Sequence, residues 1–139
     1  MSVIHRGKCL CESVSYEATG ALRGIVYCHC TQCRRQSGHY FASTNVPDAN
    51  LKVTGAEHVK WFGASADAKR GFCGTCGSAL FWKHRKLDYT SINAGSFDSP
   101  SGLTGEKHIF VTDKGDYYTI DDGLPQFARS SADVIVAGD

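Results

Sequence analysis

Three cysteines fall close together at Cys28, Cys30 and Cys33, in the stretch YCHCTQCRR. The other four stand in two pairs, Cys9-Leu10-Cys11 and Cys73-Gly74-Thr75-Cys76. Every one of the seven cysteines lies in a cluster, whereas buried apolar cysteines or stray thiols would scatter along the chain. An odd count cannot pair completely as disulfides, and clustered thiols in a reducing compartment more often bind metal. Zinc prefers four tetrahedral thiolate or imidazole ligands. A Cys-x-x-Cys turn lets both sulfurs reach one ion, and Gly77 after Cys76 supplies a permissive backbone for it. Cys-x-Cys chelates when the backbone bends between the two, and Gly7 stands where it could help.

The economical division is four plus three. Cys9, Cys11, Cys73 and Cys76 would form a closed site, and Cys28, Cys30 and Cys33 a second site from one local segment. Four protein ligands make a structural site, whereas three leave a position for solvent or substrate. The first site would close a loop of about sixty residues and offset its entropy. The second is either open, and then a candidate for catalysis, or sealed by His29, His39 or another side chain. A different grouping, with the triple cluster taking a sulfur from a pair, would strand a cysteine elsewhere. His29 lies between two ligands and should point away from the ion.

A thiol entering an open position would bind as thiolate, its nucleophilic form. It could add to an aldehyde carbonyl or, in reverse, leave by carbon–sulfur cleavage. Three thiolates weaken the Lewis acidity of zinc, so the second ion is expected to be labile. Arg34 and Arg35 follow Cys33 directly and suit carboxylate binding. The competing reading is two solvated arginines on a surface turn. Their charge, with the start of a short helix, would also favour the thiolates. His39 is a candidate proton shuttle near neutral pH, set against an ordinary surface or core histidine. Asn93 and Ser96 flank a turn and could line a pocket. Tyr40, Phe41, Trp61, Phe62, Phe81 and Trp82 read mostly as core, where small β domains gain buried area.

These residues need a scaffold. A length of 139 residues suits one domain, with a core over about residues 5–127 and a tail at 128–139 that has no clear place. A formal charge of +1 gives no broad field toward nucleic acid or anionic membrane. No apolar run approaches the roughly 18 residues of a membrane helix. Met1 to Arg6 lacks an apolar signal segment, so the expected location is cytoplasmic. Short strands are expected at 13–17, 24–27, 40–46, 51–54, 58–62, 79–82, 89–93, 108–111 and 117–120, divided by glycine or Pro47-Asp48-Ala49-Asn50 turns. One short helix over 32–36 would be capped by Thr31, with a further turn near 122–127. The fold class is mainly β, in two small sheets, with metal cross-links offsetting a weak core.

Gly7-Lys8-Cys9-Leu10-Cys11, Cys28-His29-Cys30-Thr31-Gln32-Cys33-Arg34-Arg35 with Gly38, and Phe72-Cys73-Gly74-Thr75-Cys76-Gly77-Ser78 resemble the glutathione-dependent formaldehyde-activating enzyme family. That family shares its domain with the centromere protein V group. Residues 92–98, 107–110 and 122–127 extend the likeness, which covers roughly residues 5–127. The resemblance implies a β-tent fold of short antiparallel strands organised around two zincs. It makes Cys9, Cys11, Cys73 and Cys76 the structural ligands, and Cys28, Cys30 and Cys33 the holders of the ion linked to activity. It also implies a carbon–sulfur lyase acting on an S-hydroxymethyl adduct of glutathione, or of a similar thiol, with formaldehyde. Two departures stand out: Glu12 where the family usually has glycine, and Tyr117-Tyr118 where tryptophan is common. The alternatives are a non-catalytic zinc module for a protein or chromatin-like partner, and a zinc or redox sensor. The low net charge, with no lysine- or arginine-rich run, argues against nucleic acid.

Overall fold

The computed structural model describes residues 3–131. Residues 132–139, most of the tail, lie outside the described residues. In chain order the strands are β1 (Ile4–Lys8), β2 (Ser15–Thr19), β3 (Ile25–Cys28), β4 (Phe41–Pro47), β5 (Leu51–Thr54), β6 (Val59–Phe62), β7 (Ala68–Cys73), β8 (Ala79–His84), β9 (Tyr89–Asn93) and β10 (Gly105–Ile109). Among the described residues the one α-helix, α1 (Thr31–Ser37), follows β3. The strands form a three-stranded sheet, β1-β2-β5, and a seven-stranded sheet, β10-β3-β4-β9-β8-β7-β6. All pairs are antiparallel except β10 with β3, which is parallel. The large sheet is therefore mixed rather than purely antiparallel. No helix among the described residues is long and apolar enough to cross a membrane.

Local sequence explains these elements. In β2, Tyr16 and Ala18 are buried while Ser15, Glu17 and Thr19 are half-buried, the alternation of a one-sided strand. β3 reads Ile-Val-Tyr-Cys and is buried at three of its four positions, as suits an inner strand. The apolar side chains gather into two clusters. One contains Val14, Tyr16, Val46, Leu80, Phe81 and Ile92 together with Cys9 and Cys73. The other contains Val26, Phe41, Trp82, Ile109 and Phe110 together with Cys28 and Cys33. Each cysteine group thus sits against an apolar cluster of its own.

Several expectations need correction. Residues 117–120 form no strand, and no helical turn lies at 122–127. That segment instead lies beside β10, where Phe127 N–H donates to His108 O at 2.9 Å. β1 and β7 are strands that the residue pattern does not announce. Their glycines and charged residues, Arg6-Gly7-Lys8 and Lys69-Arg70-Gly71, hide the apolar signal. Trp61 and Phe62 are exposed, at 42% and 64%, because β6 is the edge strand, while Phe41, Phe81 and Trp82 are core.

Gly7 does not bend the chain. It sits in β1 opposite Tyr16, and a Cβ there would lie 2.2 Å from the Tyr16 hydroxyl oxygen. The bend comes at Glu12, whose φ of 66° is left-handed. This supplies a physical reason for glycine at that position. A left-handed L-residue costs roughly 1–2 kcal/mol, and glycine returns part of that gain through its larger entropy loss. The exposed Lys8–Glu12 pair, 3.6 Å apart, offsets little. Glu12→Gly is therefore expected to stabilise the metal-loaded protein by about 0.5–1 kcal/mol. An unchanged or lowered melting temperature would refute this account of the loop.

Candidate metal centres

The first group is built by two turns that meet. β1 ends at Lys8, and the loop closes on itself when Cys9 N–H donates to Val14 O at 2.9 Å. β7 ends at Cys73, where Gly77 N–H donates to Cys73 O at 2.8 Å. Gly77 is left-handed at φ 81°, as its place in the knuckle predicts. These turns bring the sulfurs of Cys9, Cys11, Cys73 and Cys76 within 4.8 Å of one another. Cys9–Cys11 and Cys11–Cys73 are both 3.7 Å apart. A regular tetrahedron with Zn–S near 2.3 Å has an edge of about 3.8 Å, so the donors fit zinc.

Backbone amides face these sulfurs. Val14 N–H donates to Cys9 Sγ at 3.4 Å, and Thr75 and Cys76 N–H to Cys73 Sγ at 3.4 and 3.5 Å. Burial pushes the Cys9 thiol up to about 11. Ser78 Oγ, 3.2 Å from Cys76 Sγ, holds that thiol down to about 5.

The second group comes from one continuous segment. Cys28 ends β3, Cys30 caps α1, and Cys33 lies in the helix. The cap is Cys30 rather than Thr31. Cys30 is extended (φ −63°, ψ 161°), and its Sγ accepts from Cys33 N–H at 3.4 Å. The three sulfurs lie within 4.8 Å of one another, and no fourth cysteine, histidine or carboxylate joins them among the described residues. The cysteines divide four and three, and all seven are free thiols. Hydrogen bonds from Cys30 and Cys33, with burial, push the Cys28 thiol up. Those from Cys28 and Cys33 hold the Cys30 thiol down to about 2. One sulfur of the group carries charge easily, and ionising all three takes a cation. Such a donor set suits a thiophilic divalent ion such as zinc.

His29 and His39 each hydrogen-bond to a tyrosine, and neither joins the sulfur group. His29 is fully buried and points away from the sulfurs, as its sequence position suggests. Its Nδ1 lies 2.5 Å from the Tyr118 hydroxyl and its Nε2 lies 2.8 Å from His108 Nδ1. His108 Nε2 lies 2.7 Å from Asp122 Oδ2. Burial pushes His29 down to about 4, so its imidazole is neutral at physiological pH. His39 Nδ1 meets the Tyr117 hydroxyl at 2.6 Å, and its ring lies 4.2 Å from that of Tyr40. The two tyrosines that depart from the family pattern therefore each hold a histidine.

Arg34 and Arg35 point differently. Arg34 is half-buried on α1, and its charge reaches Tyr118, while Arg35 is exposed. The arginine that touches sulfur is Arg70 on β7, which sequence reasoning missed. Its Nη2 donates to Cys33 Sγ at 3.3 Å and to Gln32 Oε1 at 3.4 Å. A charged residue at an inward strand position was the available signal, but it required knowing that β7 existed. Asn93 and Ser96 line a groove of about 640 Å³ with Lys8, Gln36 and Asp98.

Fold and geometry together define a mainly β protein with two cysteine groups, each able to hold a metal ion. A crystal structure of a Rhodobacter sphaeroides protein superposes with a TM-score of 0.59 at 20% identity, covering 88% of this chain and 98% of that one. A Schizosaccharomyces pombe protein named as an uncharacterized lyase is 29% identical over 116 residues, covering 82% of this chain and 83% of its own. Residues 4–113 match the model of the glutathione-dependent formaldehyde-activating enzyme family. The chain belongs to that family.

The division into four and three has a direct consequence. Cys73→Ser is expected to abolish cooperative folding, because structural zinc supplies on the order of 10 kcal/mol of folding free energy. Cys30→Ser should lose one ion per chain and keep the fold. Metal analysis with circular dichroism checks both, and identical unfolding of the two variants would make the second group structural as well.

Proposed function

We propose that the chain is a zinc-dependent carbon–sulfur lyase that forms or cleaves the S-hydroxymethyl adduct of glutathione or a similar thiol. The observation that carries this reading is the sulfur trio of Cys28, Cys30 and Cys33, with no fourth cysteine, histidine or carboxylate joining it among the described residues. Family membership and a lyase-named relative support the same class of reaction. Cys9, Cys11, Cys73 and Cys76 have the structural role.

A zinc ion held by the trio would supply Lewis acidity and favour the thiolate form of an incoming thiol. In the cleavage direction the adduct's hydroxyl loses its proton, the C=O bond forms, and the C–S electron pair returns to sulfur. Formaldehyde and a thiolate result, and addition reverses each change. His39, oriented by the Tyr117 hydroxyl, is assigned that proton. Imidazole is the side chain commonly used to move protons around neutrality. Arg34 and Arg35 are assigned to the carboxylates of glutathione, which guanidinium groups bind well. A reducing compartment such as the cytoplasm would keep the seven thiols reduced.

Exchange NMR on glutathione and formaldehyde tests the reaction. The zinc-loaded protein should interconvert free and adduct forms faster than the uncatalysed control. Cys30→Ser should return the rate to that control. His39→Gln should cost on the order of 100-fold, the usual share of a positioned acid–base group. A fully loaded protein that leaves the exchange rate unchanged contradicts the proposal.

A further inference from the structure

Arg70 is only 4% exposed. Its Nη2 meets the sulfur of Cys33, yet its Nε and Nη1 have no hydrogen-bond partner among the described residues. The Phe41 ring lies 5.9 Å from Cζ and covers the guanidinium with apolar surface. Removing such a charge from water without an opposite charge is strongly unfavourable, and arginine does not deprotonate to escape. No carboxylate forms an ion pair with it among the described residues. The anion that compensates Arg70 is then the sulfur group itself.

We infer that Arg70 is the charge-compensating residue of the second metal centre, and that it makes this centre receptive to a thiolate. Three thiolates and one divalent cation leave one negative charge, which would repel an incoming thiolate and weaken the cation as a Lewis acid. The guanidinium cancels that charge. Its hydrogen bond also draws electron density from Cys33 Sγ, as outer partners of metal ligands do. β7 fixes the placement. Cys73, at its end, belongs to the first centre, and Arg70 stands three residues earlier, about 10 Å along the strand. A single strand thus supplies a ligand to one centre and a counter-charge to the other. The part of this inference that concerns an incoming thiol rests on the proposed function; the part that concerns metal binding does not.

Cobalt(II) provides the probe, because its absorption reports each thiolate site separately from activity. In Arg70→Gln the second-site affinity, measured by chelator competition, should fall about 10–100-fold, with the first site unchanged. Arg70→Lys should recover most of the loss by restoring the charge. Glutathione should perturb the second-site bands of the parent protein, and Arg70→Gln should need more glutathione for the same change. Bands that ignore glutathione in the parent would sink the proposed function and the thiol half of this inference, while the affinity comparison still decides the metal half. Parental affinity in Arg70→Gln overturns the inference.

Stability gives a second measurement that survives poor folding. Cys33→Ser removes the sulfur that Arg70 faces. In that background Arg70→Gln should leave the melting temperature unchanged or raise it, although in the parent it lowers it. An equal loss in both backgrounds, or failure to fold in both, would make Arg70 ordinary core packing and overturn the inference.

Discussion

Thiols gathered in an apolar interior cannot all ionise unless positive charge stands among them. Much of this molecule can be read as an answer to that constraint. The Cys28 and Cys30 thiols are driven in opposite directions by their mutual hydrogen bonds. The first group eases the problem with backbone amides aimed at sulfur and with partial exposure, since Cys11 reaches solvent. The second group is drier, and a buried guanidinium stands beside it. The two groups share a chemistry and differ in what surrounds it.

The scaffold follows from where the sulfurs must meet. The first group joins the loop after β1 to the end of β7, and so ties the small sheet to the large one. The second group is local to β3 and α1 and adds no long-range tie of its own. Removing the first should therefore cost the fold, whereas the second can be lost without it. The short strands and the two separate apolar clusters explain why a metal tie matters. The core is divided between two clusters, and a bound metal would add folding free energy across the division.

Much of the design was legible in the residues. The division of the cysteines, the turn of His29 away from the sulfurs and the left-handed Gly77 all follow from spacing, because turns and knuckles are local. Strands 51–54 and 89–93 read correctly because their apolar residues and bounding turns are contiguous in sequence. β7 escaped because Lys69-Arg70-Gly71 looks like a surface loop when its partners are unknown. The segment 117–120 looked like a strand because aromatic and β-branched residues suit one. In the folded chain its tyrosines serve His39 and His29 instead.

Sequence alone determined which residues could bind metal and how they group, since ligand spacing within a turn is set by a few backbone torsions. It also marked Glu12 as unusual, though not why. Tertiary structure decided what faces each group from afar. The Tyr118–His29–His108–Asp122 chain joins residues up to 93 positions apart, and Arg70 meets Cys33 across 37. Such meetings depend on strand order and register, which arise from packing of the whole chain and leave no periodic trace in any one segment.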